Sequence, residues 1–102
     1  MTTQMISLQS HATTRMMGMR HAALPLREQI EYAVSLGHEI TLDFSGIDAT
    51  QSFLDELVGV LVAKHGKGVL RHIVFKGCSR DVQAIIQFVV TDRSRRKSEA
   101  TH

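Results

Sequence analysis

The sequence predicts an α/β protein, a small sandwich in which about three helices pack against a short mixed sheet of three to four strands. Short runs of β-branched and aromatic residues alternate with longer runs whose apolar side chains recur three and four positions apart. This alternation is typical of helices layered on a sheet. The chain has 102 residues, 43% of them hydrophobic and 22% charged, which fits one globular domain and excludes wholesale disorder.

The charge is concentrated at one end of the sequence. The formal net charge is +2, but residues 93–102 carry four basic and one acidic side chain, so residues 1–92 have a net charge of −1. We therefore divide the chain into a flexible N-terminal segment (1–12), a folded domain (13–92) and a basic C-terminal tail (93–102). A nearly neutral body without a basic face argues against a nucleic-acid partner.

The hydrophobic runs and the cysteine and histidine content of the sequence indicate its compartment and whether it binds a metal or cofactor. No apolar run reaches the roughly 20 residues of a membrane span, and no charged-then-apolar signal opens the sequence. The single cysteine, Cys78, cannot form an internal disulfide, and these features together predict a cytoplasmic protein. Because the six histidines and Cys78 show no His-x-x-x-His or Cys-x-x-Cys spacing, we predict no metal site and no cofactor.

The first elements are a weak strand and a helix. Three methionines within residues 13–19 predict a short strand, although methionine is a weak strand former. The first helix is predicted over Ala22–Ser35, with Pro25 in its first turn and Gly37 as its stop. Its apolar stripe consists of Leu26, Ile30, Ala33 and Val34.

Two clearer strands and a last helix follow. The segment Ile40–Phe44 alternates apolar and polar residues, and Arg71–Phe75 is rich in β-branched and aromatic types, so both are predicted strands. Ser79 is the predicted N-cap of the last helix. The apolar stripe of that helix consists of Val82, Ile85, Ile86, Val89 and Val90.

The second helix is the most informative segment. We predict Ser52 as its N-cap, Asp55 as the capping partner three residues later, and an end at about Lys64. Apolar side chains cover most of its circumference: Phe53, Leu54, Leu57, Val58, Val60, Leu61 and Val62. A helix that is apolar nearly all round is buried on more than one side. Either the rest of the chain or a partner protein encloses it, and the sequence leaves both alternatives open.

Two motifs carry a resemblance to a known family. They are Ile-Thr-Leu-Asp-Phe-Ser-Gly-Ile at residues 40–47 and Gln-Ser-Phe-Leu-Asp-Glu-Leu at residues 51–57. The sequence resembles the STAS-like domain family of unknown function, whose pattern is a strand ending in Leu-Asp-Phe-x-Gly-Val and then Ser-Phe-x-Asp-Glu-Leu at a helix start. The resemblance covers about residues 15–93. It implies a regulatory fold without known catalysis, distantly similar to anti-sigma factor antagonists, which bind a histidine-kinase-like ATPase.

In those antagonists a Ser or Thr at the start of this helix is phosphorylated. The resemblance therefore implies Ser52 as the candidate phospho-acceptor and Thr50 as the second candidate. The sequence departs from the antagonist pattern because Phe53, and not a small residue, follows Ser52. A phosphate at a helix start gains from the helix dipole, but Asp55 and Glu56 would repel it. Capping is the alternative role of Ser52.

We expect a small regulatory protein-interaction module, not an enzyme, that docks a partner through the face of the second helix. The expected partner is a histidine-kinase-like ATPase, with a second copy of this chain as the alternative. Two other functions remain open: a small enzyme using an acidic edge of Asp43, Asp55 and Glu56, or a nucleic-acid accessory protein acting through the basic tail. The predicted partner-binding residues are Asp48, Gln51, Ser52, Phe53, Asp55, Glu56 and Val60.

Overall fold

The computed structural model describes residues 2–11 and 16–100, including the side chains of residues 2–10 and 16–95. Within these residues there are five strands: β1 (Thr3–Ser7), β2 (Met16–Met17), β3 (Glu39–Asp43), β4 (Asp48–Ala49) and β5 (Ile73–Lys76). The α-helical segments are α1 (Arg20–Ser35), α2 (Gln51–Leu54), α3 (Val60–His65) and α4 (Arg80–Ala100). The predicted α/β class is confirmed.

The strands form two sheets that are parallel throughout, where a mixed sheet was expected. The larger sheet has the order β1-β3-β5, and β2 pairs with β4 in a second sheet. In the centre of the larger sheet, β3 buries Ile40 and Leu42 completely, followed by Phe44. These side chains join those of the helices in one core, as the alternation of the sequence predicted.

The strand β1 lies in the segment that we expected to be flexible. It pairs with β3 along its whole length, from Thr3 opposite Glu39 to Ser7 opposite Asp43. Within β1 only Ile6 is buried, so the strand shows no clear apolar period in the sequence. The sequence did not predict this strand, and the flexibility of residues 1–12 stays a prediction. The predicted domain boundaries themselves stay predictions.

A single continuous helix runs through the middle of the molecule. It consists of α2, a π-helical turn (Asp55–Gly59) and α3, and we call it the central helix (residues 51–65). Six of its side chains have no exposed surface: Phe53, Leu54, Leu57, Val58, Leu61 and Val62. Both α1 and α4 pack against the π turn, and the buried face of β3 completes the core. The rest of the chain therefore encloses this helix.

The last helix includes residues that we assigned to a basic tail. Without interruption α4 runs from Arg80 to Ala100, so residues 93–100 continue the helix. The predicted cap is confirmed, because the Val82 backbone N–H donates to Ser79 Oγ at 3.1 Å. Although α4 has 21 residues, neither it nor any other helix in the described part of the chain is long and apolar enough to cross a membrane.

Two element starts differ from the prediction. The helix α1 begins at Arg20, two residues before the predicted start, so Pro25 lies in its second turn. The strand β5 begins at Ile73, two residues later than predicted, because Lys67–His72 forms a 3-10 helix. The stop of α1 is as predicted: Gly37 has a φ of 76°, a conformation that favours glycine.

The N-cap of the central helix is Thr50, and the prediction of Ser52 is wrong. Thr50 Oγ1 accepts a hydrogen bond from the Phe53 backbone N–H at 3.2 Å and donates one to the Gly18 carbonyl at 2.9 Å. Because the helix begins at Gln51, Ser52 lies in its first turn and is exposed. Both residue types are good N-caps, and the acid three residues after Ser52 favoured the wrong one.

Replacement of Thr50 by Ala should lower the free energy of unfolding by about 1–2 kcal/mol, because the helix loses its cap and the bond to Gly18. The Ser52→Ala variant is the matched control, and its stability should stay within about 0.5 kcal/mol of wild type. Urea denaturation of both variants measures the difference. Equal losses at the two positions would contradict the assignment of the cap.

Candidate functional site

Asp55 joins three helices at the first residue of the π turn. Its carboxylate accepts two hydrogen bonds from Arg93 of α4, 2.8 Å from Nε to Oδ1 and 2.6 Å from Nη2 to Oδ2. Arg20 of α1 donates from Nη1 to Oδ2 at 3.0 Å. Two parallel hydrogen bonds from one guanidinium are the strongest arrangement for such a pair. Asp55 therefore fixes both α1 and α4 against the central helix.

Ion pairs continue from Asp55 along α1. Arg27 donates to Glu56 at 3.1 Å and to Glu31 at 2.6 Å. Glu31 Oε2 in turn lies 2.9 Å from both Lys64 Nζ and His65 Nε2 at the end of the central helix. The side chains of Arg27 and Glu56 are only 12% and 17% exposed. Solvent screens such a pair less than it screens an ion pair on the open surface.

The hydrogen bonds set the protonation of the acids. The bidentate bond from Arg93 lowers the pKa of Asp55 below its ordinary value, against the opposing effect of burial, and Arg20 lowers it further. The same bond raises the pKa of Arg93. Hydrogen bonds from Ser45 lower the pKa of Asp43. A general acid at neutral pH needs a raised pKa, so neither aspartate is suited to donate a proton.

Gly59 leaves the space that the pair of Asp55 and Arg93 occupies. A Cβ atom at residue 59 would lie 2.5 Å from Asp55 Oδ1 and 3.1 Å from Arg93 Cγ. The φ of Gly59 is −60°, an ordinary helical value, so the backbone conformation does not require a glycine. A glycine is required at residue 59 because the Asp55 carboxylate lies too close to leave room for a Cβ atom.

A cleft of about 530 Å³ opens beside this pair, between the start of the central helix and α4. Gln51 and Ser52 line one wall and are exposed. Phe88 lines the opposite wall and has 54% of its surface exposed. Arg20 and Arg93 also line the cleft, next to the carboxylate of Asp55 that both contact. The cleft thus combines an apolar ring, neutral polar groups and paired charges.

The structure places the predicted partner-binding residues in different environments. Three are exposed: Asp48, Gln51 and Ser52. Two are held in ion pairs: Asp55 and Glu56. Phe53 has no exposed surface, so the prediction that it contacts a partner is wrong. Val60 is half-buried. The exposed residues come together at the start of the central helix and not along its length.

The acidic edge expected for an enzyme does not form one site. Asp43 accepts hydrogen bonds from the Ser45 backbone N–H at 2.9 Å and from Ser45 Oγ at 2.6 Å. Asp55 and Glu56 are bound by arginines instead, and of the three acids only Asp55 lines the cleft beside Arg93. Among the described side chains, those of residues 2–10 and 16–95, no three His, Cys, Asp or Glu are placed to hold a metal ion.

The sequence contained a signal for Arg93 that we did not use. Arg93 follows Val82, Ile86 and Val89 at helical spacing, so it continues the buried stripe of α4. A charged residue at such a position needs a partner of opposite charge. No sequence pattern singled out Phe88, which lies beside the stripe and is exposed.

A comparison with protein families identifies the family of the domain that contains Asp55 and Gly59. The model of a family described as a STAS-like domain of unknown function (DUF4325) matches residues 22–83, more than half of the chain. The chain belongs to this family. No curated protein and no solved structure gave a significant match. In this STAS-like domain the matched segment contains Asp55 and Gly59, whereas Arg20 and Arg93 lie outside it.

Replacement of Asp55 by Asn should lower the free energy of unfolding at pH 7 by about 1–3 kcal/mol, because the partly buried Arg93 and the more exposed Arg20 lose their counter-charge. The folded pKa of Asp55 is lowered, so its contribution is fully present above the unfolded pKa of about 3.9 and is lost as the pH falls through the folded pKa. Urea denaturation against pH should show the difference from wild type shrinking below about pH 4.

The exposed Glu28 of α1 offers a matched control. Glu28→Gln also removes one carboxylate, but it should change stability by less than about 0.5 kcal/mol at any pH. A stability difference for Asp55→Asn that shrinks between about pH 6 and 8 would contradict this explanation, since an aspartate with a lowered pKa does not titrate there.

Replacement of Gly59 by Ala should destabilise the protein, because the added Cβ meets the carboxylate of Asp55. In the Asp55→Ala background the same substitution should be neutral or stabilising by about 0.5–1 kcal/mol, the usual advantage of alanine over glycine in a helix. A double-mutant cycle measured by urea denaturation tests this coupling. Equal destabilisation in both backgrounds would show that Asp55 is not what Gly59 accommodates.

Proposed function

We propose that this STAS-like domain is a regulatory protein-interaction module that docks a partner protein where the start of the central helix meets α4. Phe88 is the observation that carries the proposal: a large aromatic side chain, 54% exposed, lines a cleft opposite the exposed residues Gln51 and Ser52. Exposed aromatic side chains among polar neighbours are typical anchors of protein interfaces. This surface differs from the one expected from the sequence, which was the face of the central helix. The apolar side chains of that helix are covered by the rest of the chain.

The charges in the cleft support binding over catalysis. Asp55 is held by Arg20 and Arg93, and these hydrogen bonds keep its pKa below the ordinary value. A carboxylate so paired is neither a general acid nor an available base at neutral pH. We therefore propose no catalytic role for these residues.

A histidine-kinase-like ATPase is the partner that we propose first, because it is what the similarity to anti-sigma factor antagonists implies. If the module is controlled by phosphorylation, Ser52 is the better acceptor of the two candidates. The hydroxyl of Thr50 already makes two hydrogen bonds within the domain, whereas Ser52 is exposed in the cleft that Arg20 also lines. A phosphate there would bring a charge of about −1.5 to −2 into the proposed interface.

A second copy of this chain is the alternative partner, and the outer face of the larger sheet is the surface for it. That face exposes Met5 and Val74, at 59% and 44%, on either side of Thr41. Three strands about 4.8 Å apart and about 17 Å long present roughly 240 Å². A stable interface buries about 800 Å² per partner. Self-association through this face alone would therefore be weak.

Affinity capture from the native host, with the full chain as bait, tests the docking surface. A partner should be retained by wild type and lost by Phe88→Gln, because the variant removes the aromatic anchor from the cleft. Tyr32→Gln is the matched control, since Tyr32 is a 67% exposed aromatic residue on α1, and it should retain the partner. Quantitative mass spectrometry of the retained proteins measures both.

A further arm tests the control by phosphorylation. Ser52→Glu should reduce retention of the same partner, whereas Ser52→Ala should not. Unfolding curves establish that every bait is folded, and light scattering of the bait alone shows whether retention reflects self-association. If each retained protein is kept equally well by Phe88→Gln and by wild type, the proposed surface is wrong.

A further inference from the structure

A second cleft lies nearer the start of α4. It has a volume of about 370 Å³ and is lined by Met16, Asp48 and Ala49 on one side and by Asp81 and Ile85 of α4 on the other. Both clefts lie between α4 and the segment 48–52, and their lining residues follow one another along both walls. Because they share these two walls, we treat the two clefts as one groove, which we call the α4 groove.

The α4 groove has an apolar middle. Phe88 and Met16 line it with 54% and 50% of their surfaces exposed, and the partly buried Ile85 lies one turn of α4 before Phe88. At 1.5 Å per residue, the wall from Asp81 to Asp92 is about 16 Å long. An extended segment of about five residues spans that length.

The charge along the groove is uneven. Four aspartates and two arginines line the two clefts, which leaves a net charge of −2. The arginines, Arg20 and Arg93, are both paired with Asp55 at one end. The other end carries Asp48 and Asp81, both exposed, and among the described side chains neither forms an ion pair. Asp48 accepts a hydrogen bond from the neutral Ser79 hydroxyl at 3.0 Å, which orients its carboxylate without cancelling its charge.

We propose that the α4 groove binds an extended segment of the partner protein in which a Lys or Arg precedes or follows an apolar side chain by about three residues. The basic side chain lies between Asp48 and Asp81, and the apolar one packs on Phe88. The spacing follows from the structure, because the seven residues from Asp81 to Phe88 cover about 10 Å of helix and one extended residue covers about 3.3 Å. This inference rests on the proposed function and specifies the chemistry of the partner.

Charge complementarity favours this occupant over others. An acidic or phosphorylated segment, or a nucleic acid, would bring negative charge against Asp48 and Asp81 and be repelled. A purely apolar segment would leave the acidic end without a counter-charge. Because exposed charges are screened by salt, the basic side chain contributes chiefly to orientation and to the rate of association, and the apolar contact contributes chiefly to affinity.

Selection of peptides from a random library displayed on phage, with the full chain as target, tests the proposal. The enriched peptides should place a Lys or Arg about three positions from an aromatic or aliphatic residue. A synthetic peptide of the consensus sequence, followed by fluorescence anisotropy, should bind wild type more weakly as the salt concentration rises.

Variants locate the binding of that consensus peptide. Asp81→Lys should weaken it about five- to tenfold by reversing one charge, and Phe88→Gln should weaken it by at least as much. Asp48→Asn removes a second charge but still accepts the hydrogen bond from Ser79, so it should weaken binding about two- to fivefold in a folded domain. Glu28→Lys and Tyr32→Gln are the matched controls on α1 and should bind the peptide as wild type does.

The proposal is wrong if the enriched peptides are acidic or lack the basic–apolar pattern, if no peptide is enriched, or if Asp81→Lys binds as wild type does. Self-association that Asp81→Lys abolishes would identify a second copy as the occupant and also overturn it. Capture of the partner from the native host distinguishes a failure of the basic-segment proposal from a failure of the proposed docking function. A partner lost by Phe88→Gln but retained by Asp48→Asn and Asp81→Lys overturns the basic segment and leaves the docking surface intact.

Discussion

The burial of the central helix is the constraint on which the rest of the structure depends. Six side chains distributed around this helix have no exposed surface, and burial of each contributes about 1.5–3 kcal/mol. Their sum is comparable to the net stability of an ordinary domain, so the fold needs cover for each of these apolar side chains. In this chain α1, α4 and the buried face of β3 provide it. The positions of these elements follow from that requirement.

The same constraint determines where the charges of the helix lie. Asp55 and Glu56 lie at the contact of the central helix with α1 and α4, and both are largely shielded from solvent. Arginines from the two covering helices meet them there. Asp55 and Gly59 are the first and last residues of the π turn, and the missing side chain of Gly59 leaves room for the contact of Asp55 with Arg93. Apolar cover and ion pairs therefore stabilise the same arrangement of helices.

Much of the fold could be predicted because the apolar residues of its strands and helices recur at regular spacings. The strand β3 alternates clearly, α1 has one apolar stripe and is followed by Gly37, and α4 begins directly after the capping residue Ser79. The strand β1 could not be predicted because it buries only Ile6, and its stability comes from pairing with a distant strand. Propensity within a short window does not report such long-range pairing.

The site was predicted less well, for two physical reasons. Thr50 and Ser52 are both suitable caps, and the contact with Gly18 that distinguishes them comes from a distant part of the sequence. Arg93 was assigned to a basic tail because runs of charged residues at a chain end are usually solvated. Its helical spacing nevertheless aligns it with the buried residues of α4. In both cases a tertiary contact decided between two locally acceptable roles.

The burial of the apolar side chains of the central helix changes the kind of surface that is available to a partner. An exposed apolar helix would bind partners by its large apolar area, with little discrimination. Under the proposed function, a groove with one aromatic ring and an acidic end would discriminate instead by the order of charged and apolar groups in the ligand. The family match includes the wall at residues 48–52 and ends at residue 83, before Ile85 and Phe88 of the opposite wall. In the proposed binding mode the matched segment therefore supplies the acidic end, Asp48 and Asp81, and the part of α4 beyond it supplies the apolar contact, Phe88.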